Sequence, residues 1–222
     1  MKNKILHQWI LFLLVFLSLY SLLSLLGCSD SVPSISSITA TLVLDYSQEN
    51  VPPKQRLSVF LLPNSDASRC KNLQVEYSKK NIIWNIEKPM LIGSNQTYYV
   101  GSAFLEPPYF GNIPIGFYKI TYQDEANRTV TTDFSVQYQS NFVSYTIEEI
   151  KEKTPAGSIK EMIAIYEQKN GEGKLLYYGI PKEDWLKEYK TIKNEYSNAS
   201  SIRICLEIFN RNILCLYPIE NL

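Results

Sequence analysis

The chain has 222 residues and a mass of 25.6 kDa, is 45% hydrophobic and 20% charged, and carries 22 basic against 22 acidic side chains. Such a balance argues against a phosphate-backbone binder, so no nucleic acid is expected as the main partner. The one histidine is His7, inside an N-terminal apolar stretch, so the rest of the chain can assemble no Ser/His/Asp triad, Cys/His pair or histidine-ligated metal.

Residues 1–27 read as a targeting segment. Lys2 and Lys4 form a positive start, and residues 9–26 are apolar apart from the small hydroxyls Ser18, Ser21 and Ser24. The run closes on Leu25-Leu26-Gly27-Cys28, which resembles the lipobox of bacterial lipoproteins: an aliphatic residue three places before the cysteine, a small residue just before it, then the cysteine. The resemblance implies a diacylglyceryl group on the Cys28 thiol, cleavage after Gly27 and acylation of the new amino terminus. Two or three acyl chains, at about 0.8 kcal/mol per buried CH₂, hold a folded domain on a bilayer stably. An uncleaved membrane-spanning anchor is the alternative for the same apolar run. Ser29 follows the cysteine; by resemblance to enterobacterial sorting, where Asp in that place retains a lipoprotein at the inner membrane, the outer membrane is favoured. Cleavage removes two basic residues and no acidic one, leaving a slightly acidic chain. Residues 28–37, with Pro33 and five serines, read as a flexible lipidated tether.

Across residues 38–139 the hydrophobic period is mostly two. Ile38, Ala40, Leu42 and Leu44 alternate with Thr39, Thr41, Val43 and Asp45, the pattern of a half-buried strand. Similar runs at 56–62, 73–77, 82–86, 97–105, 117–122 and 129–137 are separated by stretches rich in Pro, Asn, Ser, Asp and Gly. Seven short strands without a helical pattern between them predict a mainly β fold, an immunoglobulin-like β-sandwich. Pro114 and Gly116 turn the chain into a strand alternating Tyr118, Ile120 and Tyr122, and residues 124–128 close a hairpin onto the next strand.

Four pieces carry a wider resemblance: Trp84 within Ile-Ile-Trp-Asn-Ile, Tyr99-Val100-Gly101-Ser102 before a proline-rich loop, Pro114-x-Gly-x-Tyr118, and Tyr122-x-Asp-x-Ala126. They resemble poorly characterised spirochaete envelope lipoproteins with an immunoglobulin-like domain. These are structural signatures covering about half of the chain beyond Cys28, and they imply a fold and an envelope location without an activity.

Residues 140–157 read as a linker, with Thr146 and Glu149 at the spacing of a helix capping box. Residues 158–222 read as a small α+β domain, a four-stranded antiparallel sheet with one helix. Residues 161–167 and 174–179 flank a glycine-bearing turn. A helix opens with Pro181 in its first turn and carries Trp185, Tyr189, Ile192 and Tyr196 as its apolar stripe. Ile202, Ile204, Leu206 and Ile208, then Leu214 and Leu216, alternate on the last two strands. About 65 residues make a weak core, so this unit is expected to pack on the sandwich.

Apart from Cys28 there are three thiols. Export would permit a disulfide between Cys205 and Cys215. With a hairpin loop of residues 210–212 the two lie diagonally on one face, and with a loop of 209–211 they lie directly opposite; an unbridged pair stands beside both. No metal site and no cofactor is indicated. The adjacent carboxylates Asp124 and Glu125, Glu148 and Glu149, and Glu183 and Asp184 do not face each other across a substrate as hydrolysis requires, and are better explained as turns and helix starts.

The unusual feature is 16 tyrosines, with Tyr98-Tyr99, Tyr109-Phe110 and Tyr177-Tyr178 as local clusters. Adjacent strand residues point to opposite faces, so one of each strand pair should be exposed or lie in a seam. The proline-stiffened loop 106–112 carries Tyr109 and Phe110 at a sandwich end, where such folds place binding loops. These readings together predict a lipid-anchored envelope lipoprotein that acts as a non-catalytic binding or assembly module. Its partners are the membrane, through the anchor, and envelope or host proteins or glycans. A surface adhesin or carbohydrate binder is the first alternative, and a carboxylate-dependent hydrolase the second.

Overall fold

Alternation places Leu42, Leu44 and Tyr46 on one side of the first strand and Thr41, Val43 and Asp45 on the other, and the strands that follow repeat the pattern. The computed structural model describes residues 32–47, 52–94, 97–108, 111–155, 157–168, 173–209 and 212–222. Eight strands build the N-terminal part: β1 (Ile35–Asp45), β2 (Lys54–Pro63), β3 (Cys70–Tyr77), β4 (Ile82–Ile86), β5 (Met90–Ser94), β6 (Thr97–Leu105), β7 (Gly116–Asp124) and β8 (Thr129–Val136). They lie in two sheets, β1-β2-β6-β5 facing β4-β3-β7-β8. That is the strand order of an immunoglobulin-type sandwich with an extra edge strand on the second sheet. Leu57, Val59 and Leu61 of β2 meet Leu73 and Val75 of β3 and Tyr118, Ile120 and Tyr122 of β7 in the core between them.

β5 was not among the expected strands. Its five residues follow Pro89 and include Gly93 at φ +150, and so short a run shows no period of its own.

The C-terminal strands β9 (Ile159–Tyr166), β10 (Leu175–Gly179), β11 (Ser201–Ile208) and β12 (Ile213–Asn221) form the expected four-stranded antiparallel ribbon, in the order β10-β9-β11-β12. Ile163, Ile165, Ile202 and Ile204 on one face pack against Trp185 and Ile192. The covering segment is not the single helix expected there. It breaks into α2 (Glu183–Lys187) and a 3₁₀ turn (Tyr189–Asn194), because Glu188 between them is extended, at φ −153 and ψ 103. The Glu188 carbonyl takes the Thr191 N–H at 3.0 Å, opening the 3₁₀ turn, and the Thr191 Oγ1 hydroxyl at 2.8 Å. The apolar stripe keeps its face, with Trp185 and Ile192 fully buried and Tyr189 and Tyr196 packed beside them.

A second difference concerns how this ribbon meets the sandwich. β12 runs parallel to β1, pairing Leu42 with Ile213 through Asp45 with Leu216, so the ribbon and the β1 sheet are one eight-stranded sheet, and residues 33–222 form one compact unit. Leu42, Val43 and Leu44 are all buried, as in a strand covered on both faces and paired on both edges. Pairing also removes the long unprotected edge that β1 would otherwise present. Across the seam, Asp45 accepts a charge-assisted hydrogen bond from Arg203 of β11 and pairs with Arg56 of β2 at 3.5 Å.

The stretch expected as a linker contributes to the shared core. Phe142, Val143 and Ile150 are buried there with Leu206, Ile208, Ile213 and Cys215. The capping box forms at the start of α1 (Ile147–Lys153): Glu149 N donates to Thr146 Oγ1 at 3.3 Å, and Thr146 N donates to Glu149 Oε2 at 3.0 Å. Among the described residues no helix is long and apolar enough to cross a membrane.

Candidate functional site

β6 and β7 are joined by residues 106–115, and the described ends of this connection are held by six side-chain hydrogen bonds. Trp84 Nε1 donates to the Glu106 carbonyl at 2.8 Å. On the returning side Tyr138 donates to the Ile113 carbonyl, Tyr118 to the Pro114 carbonyl at 2.6 Å and Tyr77 to the Ile115 carbonyl at 3.2 Å. Gln55 takes the Ile113 N–H at 3.2 Å and gives its own amide to Asn112 Oδ1 at 2.6 Å.

Local chemistry explains why three tyrosines reach three successive carbonyls. Pro114 fixes its own φ, and Gly116 sits at φ +142, where a side chain is strained; a Cβ there would also lie 3.2 Å from the Tyr77 ring. Tyr118 is fully buried, 5.0 Å from the Tyr77 ring, 5.3 Å from Phe134 and 6.2 Å from Trp84 between centroids. Burial raises the Tyr118 hydroxyl well above the ordinary tyrosine pKa and raises that of Tyr138, so both stay neutral hydrogen-bond donors.

The loop leaves the sandwich at the end opposite the start of β1. β1 begins at Ile35 opposite Pro63 and finishes at Asp45 opposite Lys54, while β6 finishes with Leu105 opposite Leu57. At about 3.3 Å per residue, the two ends of β1 are about 33 Å apart. Ile83, Ile115 and Phe117 flank the loop at this end with 51%, 37% and 72% of their surface exposed. Exposed apolar side chains beside a braced loop are the composition of a recognition surface.

Tyr109 and Phe110 lie outside the described residues, as does Cys28. Of the tyrosine pairs, Tyr98 is 45% exposed while Tyr99 is half-buried; Tyr178 is 39% exposed and donates to Glu207 while Tyr177 packs on Trp185, the alternation expected of strands.

Cys205 and Cys215 form no disulfide, and the expected geometries are both corrected by the hairpin register. The loop is four residues long, Ile208 pairs with Ile213, Cys205 faces Leu216 and Leu206 faces Cys215. This register falls midway between the two considered, and one residue of slip turns the thiols to opposite faces of the sheet. Cys70, Cys205 and Cys215 are all free, and burial pushes each thiol up to about 12. The native chain at pH 8 is therefore expected to react slowly with a thiol-disulfide reagent and to titrate these three thiols fast only when unfolded. An intact mass short by two hydrogens before reduction would contradict this.

The carboxylate pairs hold turns and helix starts. Asp124 is 2% exposed and takes the Arg128 N–H at 2.9 Å, its Nε at 2.8 Å and its Nη2 at 2.7 Å. Burial opposes the charge on Asp124, and the Arg128 bonds outweigh it, so its pKa lies below the usual carboxylate value. A depressed folded pKa adds stability above the unfolded value of about 3.9, which is lost as the pH falls through the folded value. Asp124→Asn should accordingly narrow the difference in urea midpoint between pH 7 and pH 3; an unchanged difference would show that Asp124 has no part in it. Among the described residues no cluster of His, Cys, Asp and Glu has the geometry to hold a metal ion.

No protein-family model, no curated protein and no solved structure matches the chain.

Proposed function

We propose that the chain is a lipid-anchored envelope lipoprotein, acylated at Cys28 and favouring the outer membrane, that works as a non-catalytic binding module through the 106–115 loop end. One observation carries the binding role: six side-chain hydrogen bonds hold the described ends of a loop beside exposed apolar residues, at the end opposite the start of β1. The described ends of the loop are held before any partner arrives, so binding costs less in ordering them. An anchor at one end of β1 and a recognition surface at the other would point that surface away from the lipid. The lipobox supports the anchor, and the spirochaete-like motifs support the envelope location.

Glycan and extracellular-matrix arrays probed with the full chain and with Tyr109→Ala/Phe110→Ala test the reading. Loss of the wild-type signals in the double variant, with an unchanged unfolding midpoint, is expected. Equal signals would remove the loop from the function.

A further inference from the structure

At the opposite end of the sandwich, where β1 begins, an open groove of about 520 Å³ lies between the start of β1, the β2–β3 connection and the start of β6. That volume falls in the range of small-ligand sites. Its lining mixes polar and apolar groups: Asn64, Ser65, Asp66 and Thr97 stand beside Leu62 and Pro63, and Tyr98 forms one wall with 45% of its surface exposed. Part of the hydrogen-bonding capacity is already used. Asn64 Nδ2 donates to Ser34 Oγ at 2.6 Å, and Asp66 Oδ1 takes the Ser68 N–H at 2.9 Å. Asn64 Oδ1 and Asp66 Oδ2 make no bond among the described residues, and the hydroxyls of Ser65 and Tyr122 are buried side by side without a hydrogen bond of normal geometry.

We infer that this groove binds the ring of a neutral sugar, with Tyr98 as the stacking surface and Asn64, Asp66 and Thr97 as partners for its hydroxyls. The chemistry selects the class. A sugar ring offers an apolar C–H face to an aromatic and a rim of hydroxyls that donate and accept, which matches one exposed ring beside amide, carboxylate and hydroxyl groups. Among the described residues no cation lines the groove and Asp66 is its one formal charge, so phosphates and acidic sugars are disfavoured. The same ring chemistry could come from a soluble glycan or from the headgroup of a glycolipid. The second source rests on the anchor proposed above, which would hold this end of the sandwich close to the lipid.

The test uses the full chain extracted in a sugar-free zwitterionic detergent, with saturation-transfer NMR of methyl β-D-galactopyranoside, methyl α-D-glucopyranoside and glucuronate as probes. At least one neutral glycoside is expected to bind and glucuronate to give no signal. Tyr98→Ala should weaken the neutral glycoside about tenfold, and Asp66→Asn, which keeps the Ser68 cap, should admit glucuronate. No signal from either neutral glycoside, or equal binding by Tyr98→Ala with an unchanged circular dichroism spectrum, would overturn the proposal. Binding of free glycoside in detergent does not depend on Cys28, so its failure is separate from failure of the anchor. Adding monogalactosyl diacylglycerol to the micelles decides the source: displacement of the free glycoside assigns a membrane headgroup, and no displacement assigns a soluble glycan.

Discussion

Asp45→Ala is expected to destabilise the chain by about 3 kcal/mol, because it strands two guanidinium groups with little access to water. Asp45 and Arg203 keep only 15% and 12% of their side-chain surface exposed, and Arg56 keeps 25%. Arg203 also donates its Nε to the Tyr217 carbonyl at 2.6 Å, so it is fixed in place and cannot swing into solvent without losing that bond. The loss should exceed that of an exposed ion pair, which is about 0–1 kcal/mol. Asp45→Asn retains an acceptor and removes only the charge, so it should cost less. Urea unfolding at neutral pH checks both, and the transition should remain single, since Leu206, Ile208 and Ile213 of the ribbon belong to the same core as Leu42 and Leu57. Two transitions, with only one of them moved by the substitution, would mean that the ribbon folds independently of the sandwich.

Trp185→Ala is expected to cost about 4 kcal/mol, as large truncations of fully buried aromatics do. Trp185 is the largest fully buried side chain, with its ring 5.3 Å from Tyr177 in an edge-on contact and 6.1 Å from Tyr196. It is also the main contact by which the short α2 holds to the sheet, since a helix of one turn has almost no stability of its own. Its Nε1–H is buried and finds no hydrogen-bond partner among the described residues. Trp185→Phe keeps most of the packing and removes that donor, so its cost should stay below about 1.5 kcal/mol. The contrast is the informative quantity in thermal or urea unfolding. Equal losses in the two variants would mean that the indole N–H, and not the ring volume, is what the site needs.

Local signals are legible in the residues alone. The strands at 82–86 and 97–105 coincide with β4 and β6, and the spacing of Thr146 and Glu149 marks a capping box that forms. Pro114-x-Gly-x-Tyr118 was legible as a turn into a strand, because its φ constraints and the Tyr118 bond to the Pro114 carbonyl span only a few residues. What escaped depends on partners distant in the chain. Trp84 and Gln55 reach the loop from 22 and 58 residues away, and no periodicity announces such a bond. The β1–β12 pairing was equally hidden. The consecutive apolar residues Leu42-Val43-Leu44 hinted at it, as a strictly one-faced strand would have kept Val43 polar. The Cys205–Cys215 geometry failed over one residue of hairpin register, because a four-residue loop with Phe209 at φ 50 has no glycine to signal it. The Tyr98 groove gathers residues from three separate segments, and only the folded chain places them together.

The anchor is the claim on which the orientation of both proposed surfaces depends, and intact mass with N-terminal analysis of the protein from detergent-solubilised membranes of its native host tests it most directly. The expected product is a chain whose first residue is Cys28, heavier than the unmodified polypeptide by its diacylglyceryl group and an amide-linked acyl chain. A chain still beginning at Met1 with an unmodified Cys28 would contradict it.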